Sequence, residues 1–203
     1  SGMDVVGGDD QNEDGSGGEE SVSIEYVEHE GSFGENRSGD AGVLHIVESI
    51  VVDTVYNRLL IADEHDTAWD VKIYDLAQRR FSGDVLGHRN DETQVMKFNA
   101  EPEGIALYEC PNDSREGYYI FTEQLTRLTR FHVLNRRDFR FMGTFTGRVT
   151  SKTDGVAVSN RSFGSFKGGM FIAVHDDSHV AAWKWSDIAR ALQLDKHNPS
   201  CAA

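Results

Sequence analysis

The sequence predicts an all-β fold: a β-propeller of about three four-stranded blades followed by a short C-terminal helix. Three observations carry that expectation. First, Glu103-Gly104-Ile105-Ala106-Leu107 recurs in altered form as Glu48-Ser49-Ile50-Val51-Val52 and as Asp154-Gly155-Val156-Ala157-Val158. Each copy opens on a carboxylate, passes a small residue and enters an apolar, β-prone run. The copies begin 55 and 51 residues apart, and self-similarity at roughly 40–50 residues marks propeller blades or a related array. Second, each copy is followed by a second apolar run: Leu59–Glu64, Tyr118–Glu123 and Met170–Asp176. Third, a further run follows in each unit: Val71–Tyr74, Thr129–Leu134 and Val180–Trp185. A fourth strand fits at Gly83–Leu86 and at Phe139–Phe145. In the third unit a helical pattern, Ser186–Leu192, takes that place, with Ser186 as the expected N-cap and Asp187 in the first turn.

Before the repeats, residues 1–20 hold seven acids, many glycines and no Lys or Arg. Such a stretch buries too little apolar surface to offset its ordering entropy, so it reads as a flexible linker. Its acids lack the regular spacing of a calcium-binding loop. Ser21 to Glu28 alternates weakly through Val22, Ile24 and Tyr26 and reads as a strand. Residues 31–42 form a Gly-rich polar loop in which Arg37 is a candidate anion ligand or a solvated side chain. Asn57 suits a left-handed turn position between the first two strands of the first blade. Pro111 to Ser114 is the corresponding turn of the second blade. The propeller domain therefore spans residues 21–195, and residues 196–203 read as a flexible tail.

Composition narrows the function classes. The 203 residues suffice for one good core, and 38% are hydrophobic. A formal charge of −14 argues against a nucleic-acid partner and, where acids cluster, favours cations. No apolar run approaches the roughly 18 residues of a membrane span. Ser1-Gly2-Met3 does not open a signal peptide; either none exists or the chain begins downstream of one. Cys110 and Cys201 lie far apart, with Cys201 in the expected tail, so no disulfide framework is indicated.

The repeat register brings carboxylates together. Blades run their first strand along the central channel, so equivalent strand ends share one opening. Glu48, Glu103 and Asp154 are equivalent by that register, as are Glu64, Glu123 and Asp176. Up to six carboxylates would repel one another unless a cation neutralises them, and hard oxygen donors in an irregular cluster suit Ca²⁺. Zinc-type Cys/His spacing is absent. Asp66, Asp75 and Asp177 read as solvated loop acids, and His175 as an acid/base group, a partner of Asp176 or a plain loop residue. Trp69, Trp183 and Trp185 read as packing residues.

Several segments in order carry a resemblance. Ile61–Glu64, Glu101–Tyr108, Thr153–Val156, Gly169–Asp177 and Val180–Ile188 together resemble the C-terminal half of the β-propeller phytases, over about residues 43–192. The resemblance implies a six-bladed ring of which this chain carries about three blades, and an acidic, calcium-filled opening that hydrolyses inositol phosphates. It implies that Glu48, Glu64 and Glu103 match active-site calcium-binding acids, and that Asp154 and Asp176 match structural calcium ligands. Attack would come from a metal-activated water with no covalent intermediate, in keeping with the lack of a nucleophile elbow. An extracytoplasmic (secreted or periplasmic) location goes with it.

Two features depart from the family's pattern. Ser49 stands where the family has Gly. The family's basic phosphate-binding residues also find no defensible match, leaving Arg37 and Lys72 as substitutes. Three blades leave open sheet edges, to be closed by the rest of a longer protein or by a second chain supplying the missing half. The rival readings are a non-catalytic, calcium-stabilised binding module and a propeller lactonase or esterase.

Overall fold

Strands form where the three apolar runs of each repeat lie. The computed structural model describes residues 31–34, 42–65 and 69–201. The linker at 1–20, the strand expected at 21–28, Arg37 and Asp66 lie outside the described residues. The chain divides after Phe33 into two units. In the first, Gly31–Phe33 carry no regular structure; among the described residues, the strands and helices belong to the second, from Gly34 onward.

Two four-stranded antiparallel meanders come first. One is β1 (Val47–Asp53), β2 (Arg58–Asp63), β3 (Asp70–Asp75) and β4 (Arg80–Leu86). The next is β5 (Pro102–Cys110), β6 (Asp113–Glu123), β7 (Arg130–Asn135) and β8 (Phe141–Thr146). The third sheet has three strands, β9 (Val156–Ser159), β10 (Met170–His175) and β11 (His179–Lys184), and α1 (Trp185–Leu192) takes the place of a fourth. This is the blade pattern read from the sequence. Asn57 adopts φ 49° in the β1–β2 turn, the left-handed position expected of it.

Packing explains why the second blade is the most apolar. Its middle strand β6 is buried on both faces, as a strand between two sheets must be. Tyr119 and Phe121 join Leu60, Ala62, Val71 and Ile105 between the first and second blades. Tyr118 and Ile120 join Phe131, Phe171 and Trp185 between the second and third. Trp185 is fully buried and stacks on Tyr108 at 3.7 Å, and Trp183 packs on Phe131 and Phe171, so both are packing residues.

The first strands of the three blades are neighbours, tied by close approach. Ile105 N–H donates to Ser49 Oγ at 3.0 Å, so the residue that departs from the family pattern bridges β1 and β5. A side chain at Gly104 would meet the Asp154 carbonyl at 2.5 Å, so glycine there lets β5 lie against the start of β9.

The C-terminus corrects two expectations. Ser186 is not the N-cap: β11 runs through to Lys184, which caps α1 without a side-chain hydrogen bond. Nor is the end a free tail as far as Cys201. A four-residue helix α2 (Leu194–His197) and a 3-10 turn (Pro199–Cys201) bring Cys201, 1% exposed, into a disulfide with Cys110 at the end of β5. The separation of 91 residues hid the pairing from the sequence. Closing so long a loop stabilises the fold by about 4–5 kcal/mol on the chain-entropy account.

Candidate metal centre

Three glutamates converge where first strands begin and second strands end. Glu64 comes just after β2, Glu101 precedes β5, and Glu103 is the second residue of β5. Glu101 is exposed and Glu103 is 5% exposed. One carboxylate oxygen from each lies within 4.8 Å of the others. Glu48, exposed at the start of β1, and Asp154, exposed just before β9, add their charge to the same cluster.

The electrostatics show the strain of that arrangement. Burial, then the charges of Glu48, Glu64 and Asp154, push the Glu103 carboxyl up to about 8. Burial and Glu48 push Glu64 upward too, although its hydrogen bond with Glu103 favours its ionised form. Burial and Asp177 raise Asp154, opposed by a hydrogen bond from the Gln124 side-chain amide. A proton on Glu103 thus relieves the repulsion in the metal-free chain. A calcium ion would relieve it equally, since it takes carboxylate oxygens at 2.3–2.6 Å, which places two oxygens on one ion at most about 5 Å apart. The donor set, all hard oxygens, fits that ion and gives zinc no nitrogen or sulfur ligand.

Backbone hydrogen bonds revise the repeat register at the second-strand ends. Glu64 N–H donates to Ile46 O at 2.9 Å, Gln124 N–H to Glu101 O at 2.8 Å and Asp176 N–H to Ser151 O at 3.1 Å. Gln124, not Glu123, is therefore the counterpart of Glu64 and Asp176. Glu123 is the last residue of β6 and fully buried, as Asp63 is at the end of β2. A strand's side chains alternate between faces, so the one-residue slip sends Glu123 away from the cluster.

Asp176 and Lys72 are held by partners other than the three glutamates. Asp176 pairs with Lys152 at 3.0 Å, both about half exposed, which holds its carboxyl below the usual range. Lys72 is buried, with Nζ 2.7 Å from Asp63 and 2.9 Å from Asp70. Although burial disfavours its charge, those two carboxylates raise its pKa. Its ammonium is thus engaged by protein carboxylates. Glu101 was not picked out as a ligand from the sequence. Its two-residue spacing from Glu103 was the available signal, because residues i and i+2 share one face of a strand.

Known proteins resemble this chain at the level of family. The sequence pattern of the phytase family matches residues 39–190. Among solved structures the chain resembles the Dos1 propeller, with a TM-score of 0.38 and 16% identity, over 63% of this chain and 28% of that one. The chain thus corresponds to little more than a quarter of that protein's length. No curated protein matches it.

Proposed function

Because the chain belongs to the phytase family, we propose that it serves a calcium-dependent phosphomonoester hydrolase acting on inositol hexakisphosphate or related esters. The observation that carries the reading is the convergence of Glu64, Glu101 and buried Glu103, with Glu48 and Asp154 adding charge. A buried carboxylate is ordinarily paired, and buried Glu103 instead faces half-buried Glu64 and exposed Glu101. Bound there, calcium would neutralise ester phosphates and lower the pKa of a water. The chain's own part is to hold oxygen donors ready. Glu103 gives up its proton on loading, Glu64 and Glu101 complete the set, and Glu48 and Asp154 deepen the negative potential that draws a cation in. Asp176 would serve as a further ligand only by leaving Lys152.

Phosphate release from inositol hexakisphosphate, with calcium and after chelation, tests the reading. Release should require calcium and fall at least about tenfold in Glu103→Gln, the usual scale for damage to a metal site. Release that persists through chelation contradicts it.

One observation favours a second reading, a calcium-stabilised binding module without turnover. Lys72 is committed to Asp63 and Asp70 rather than offered to a phosphate. That reading predicts calcium-dependent melting with no phosphate released.

A further inference from the structure

A feature repeated in all three blades lies just behind the acidic cluster. The last residue of each second strand accepts a backbone N–H from the segment that leads into the first strand of its own blade. In the first blade Asp63 accepts His45 N–H at 3.1 Å and Ile46 N–H at 3.0 Å. In the second, Glu123 Oε1 accepts Asn99 N–H at 2.5 Å. In the third, His175 Nδ1 accepts Ser151 N–H at 3.2 Å. The three are equivalent by the backbone bonds of the next residue in each case, Glu64, Gln124 and Asp176. Nothing in the repeated sequence marks the equivalence, because the residue types are Asp, Glu and His.

Each latch is built differently but is itself held. Lys72 bridges Asp63 to Asp70 from the neighbouring strand. His132 sits at the matching place in the second blade, with Nε2 3.1 Å from Glu123 and Nδ1 2.8 Å from Thr144 Oγ1. Lys72 and His132 correspond by register: Asp63 pairs with Asp70 and Glu123 with Arg130, and each of the two side chains lies two residues further on. His175 has its own contact in this place, to Ser151 Oγ at 3.4 Å.

The latched backbone lies close to the candidate ligands. Ile46 is two residues before Glu48, Asn99 is two before Glu101, and Ser151 is three before Asp154. We propose that Asp63, Glu123 and His175 are positioning residues. Each fastens the segment entering its blade's first strand, and so sets where the acidic side chains stand for a cation. Lys72 and His132 support the latch in the first two blades. This gives Lys72 a role other than substrate contact. The proposal rests on the calcium reading for its purpose, and on the hydrogen bonds alone for its existence.

The test is residue-resolved amide hydrogen exchange on the metal-free 203-residue chain, together with calcium titration of the same samples. The variants are Glu123→Ala, Glu123→Gln and His175→Ala. Glu123→Ala should speed exchange over residues 97–103 about tenfold or more beyond any change elsewhere, a local opening. It should also weaken calcium binding about 10–100-fold, the scale for residues that orient ligands. Glu123→Gln keeps an oxygen for Asn99 N–H and should recover most of both. His175→Ala, at a half-buried position that tolerates truncation better, should loosen residues 150–154 and leave 97–103 as they were.

Unchanged exchange in the latched segments would overturn the proposal. So would exchange raised equally throughout the chain, or loosened segments with calcium affinity untouched. A wild-type chain that binds no calcium would sink the hydrolase reading instead, and the exchange pattern alone would then decide whether the latches exist.

Discussion

Glu103 and Glu123 belong to the same blade, on adjacent strands, and both are buried. They have opposite surroundings. Burial raises Glu123 as it does any carboxyl, but His132, the Asn99 N–H and Arg130 overcome it and bring its pKa down to about 2. Glu103 has burial and three carboxylates against it and stands near 8. Asp53, at the far ends of the strands, resembles Glu123. Burial is outweighed there by Arg136, at 3.0 and 2.8 Å, and by the Tyr119 hydroxyl. Among the described residues, the buried carboxylates Asp53, Asp63, Asp70 and Glu123 are each met by a basic side chain. Glu103, at the first-strand starts, is the exception among the buried carboxylates, and a bound cation would supply the partner it lacks.

The largest way to break the contrast is to turn a paired carboxylate into an unpaired one. Arg136→Ala removes both of its hydrogen bonds to buried Asp53 and leaves that carboxylate only the longer ion pair with Arg58 at 3.7 Å, so it should cost about 3–5 kcal/mol in urea unfolding. A loss below about 1 kcal/mol would mean that Arg58, Tyr119 and the turn N–H groups suffice for Asp53.

Glu103→Gln should act in the opposite direction. Without metal, at a pH where Glu103 is ionised, removing one of several like charges should stabilise the chain by on the order of 1 kcal/mol, the worth of one pKa unit. Destabilisation of that size would mean the cluster is already satisfied.

The pH dependence sharpens the comparison further. Glu103 is raised from 4.5 to about 8, so the folded chain binds more protons than the unfolded chain in that window. Metal-free stability should therefore fall as pH rises from about 4.5 to about 8. Glu123 is depressed to about 2, so its contribution is present above 4.5 and is lost as pH falls towards 2. Unfolding midpoints across that range should show both limbs, and Glu103→Gln should flatten only the alkaline one. The smallest effect belongs to Lys152→Ala. Its ion pair with Asp176 is about half exposed, so the unfolding midpoint should not move measurably.

Much of the fold was legible because a blade's apolar runs and their spacing are local. Leu59–Glu64 and Tyr118–Glu123 read directly as second strands. Glu64 and Glu103 were legible as cluster members because both carboxylates flank apolar runs at repeat positions. Three features escaped. Glu123 slipped by one residue because Thr122-Glu123-Gln124 offers an acid where the blade needs a buried latch and an amide where its neighbours have acids. The Cys110–Cys201 bridge depends on helices folding back over the second blade, which no local pattern reveals. Lys72 looked like a phosphate ligand because a lysine within an apolar strand invites a function. Its partners Asp63 and Asp70 meet it only once the strands pair.

Glu64, Glu101 and Glu103 should act as one cation site. Thermal unfolding with and without millimolar calcium, on the wild-type chain and Glu103→Gln, tests this most directly. Calcium at about a hundred times its dissociation constant should add roughly 2.7 kcal/mol to the wild type, read as a raised melting temperature. The rise should shrink or vanish in the variant. A melting temperature that calcium leaves unchanged, or raises equally in both proteins, would contradict the account.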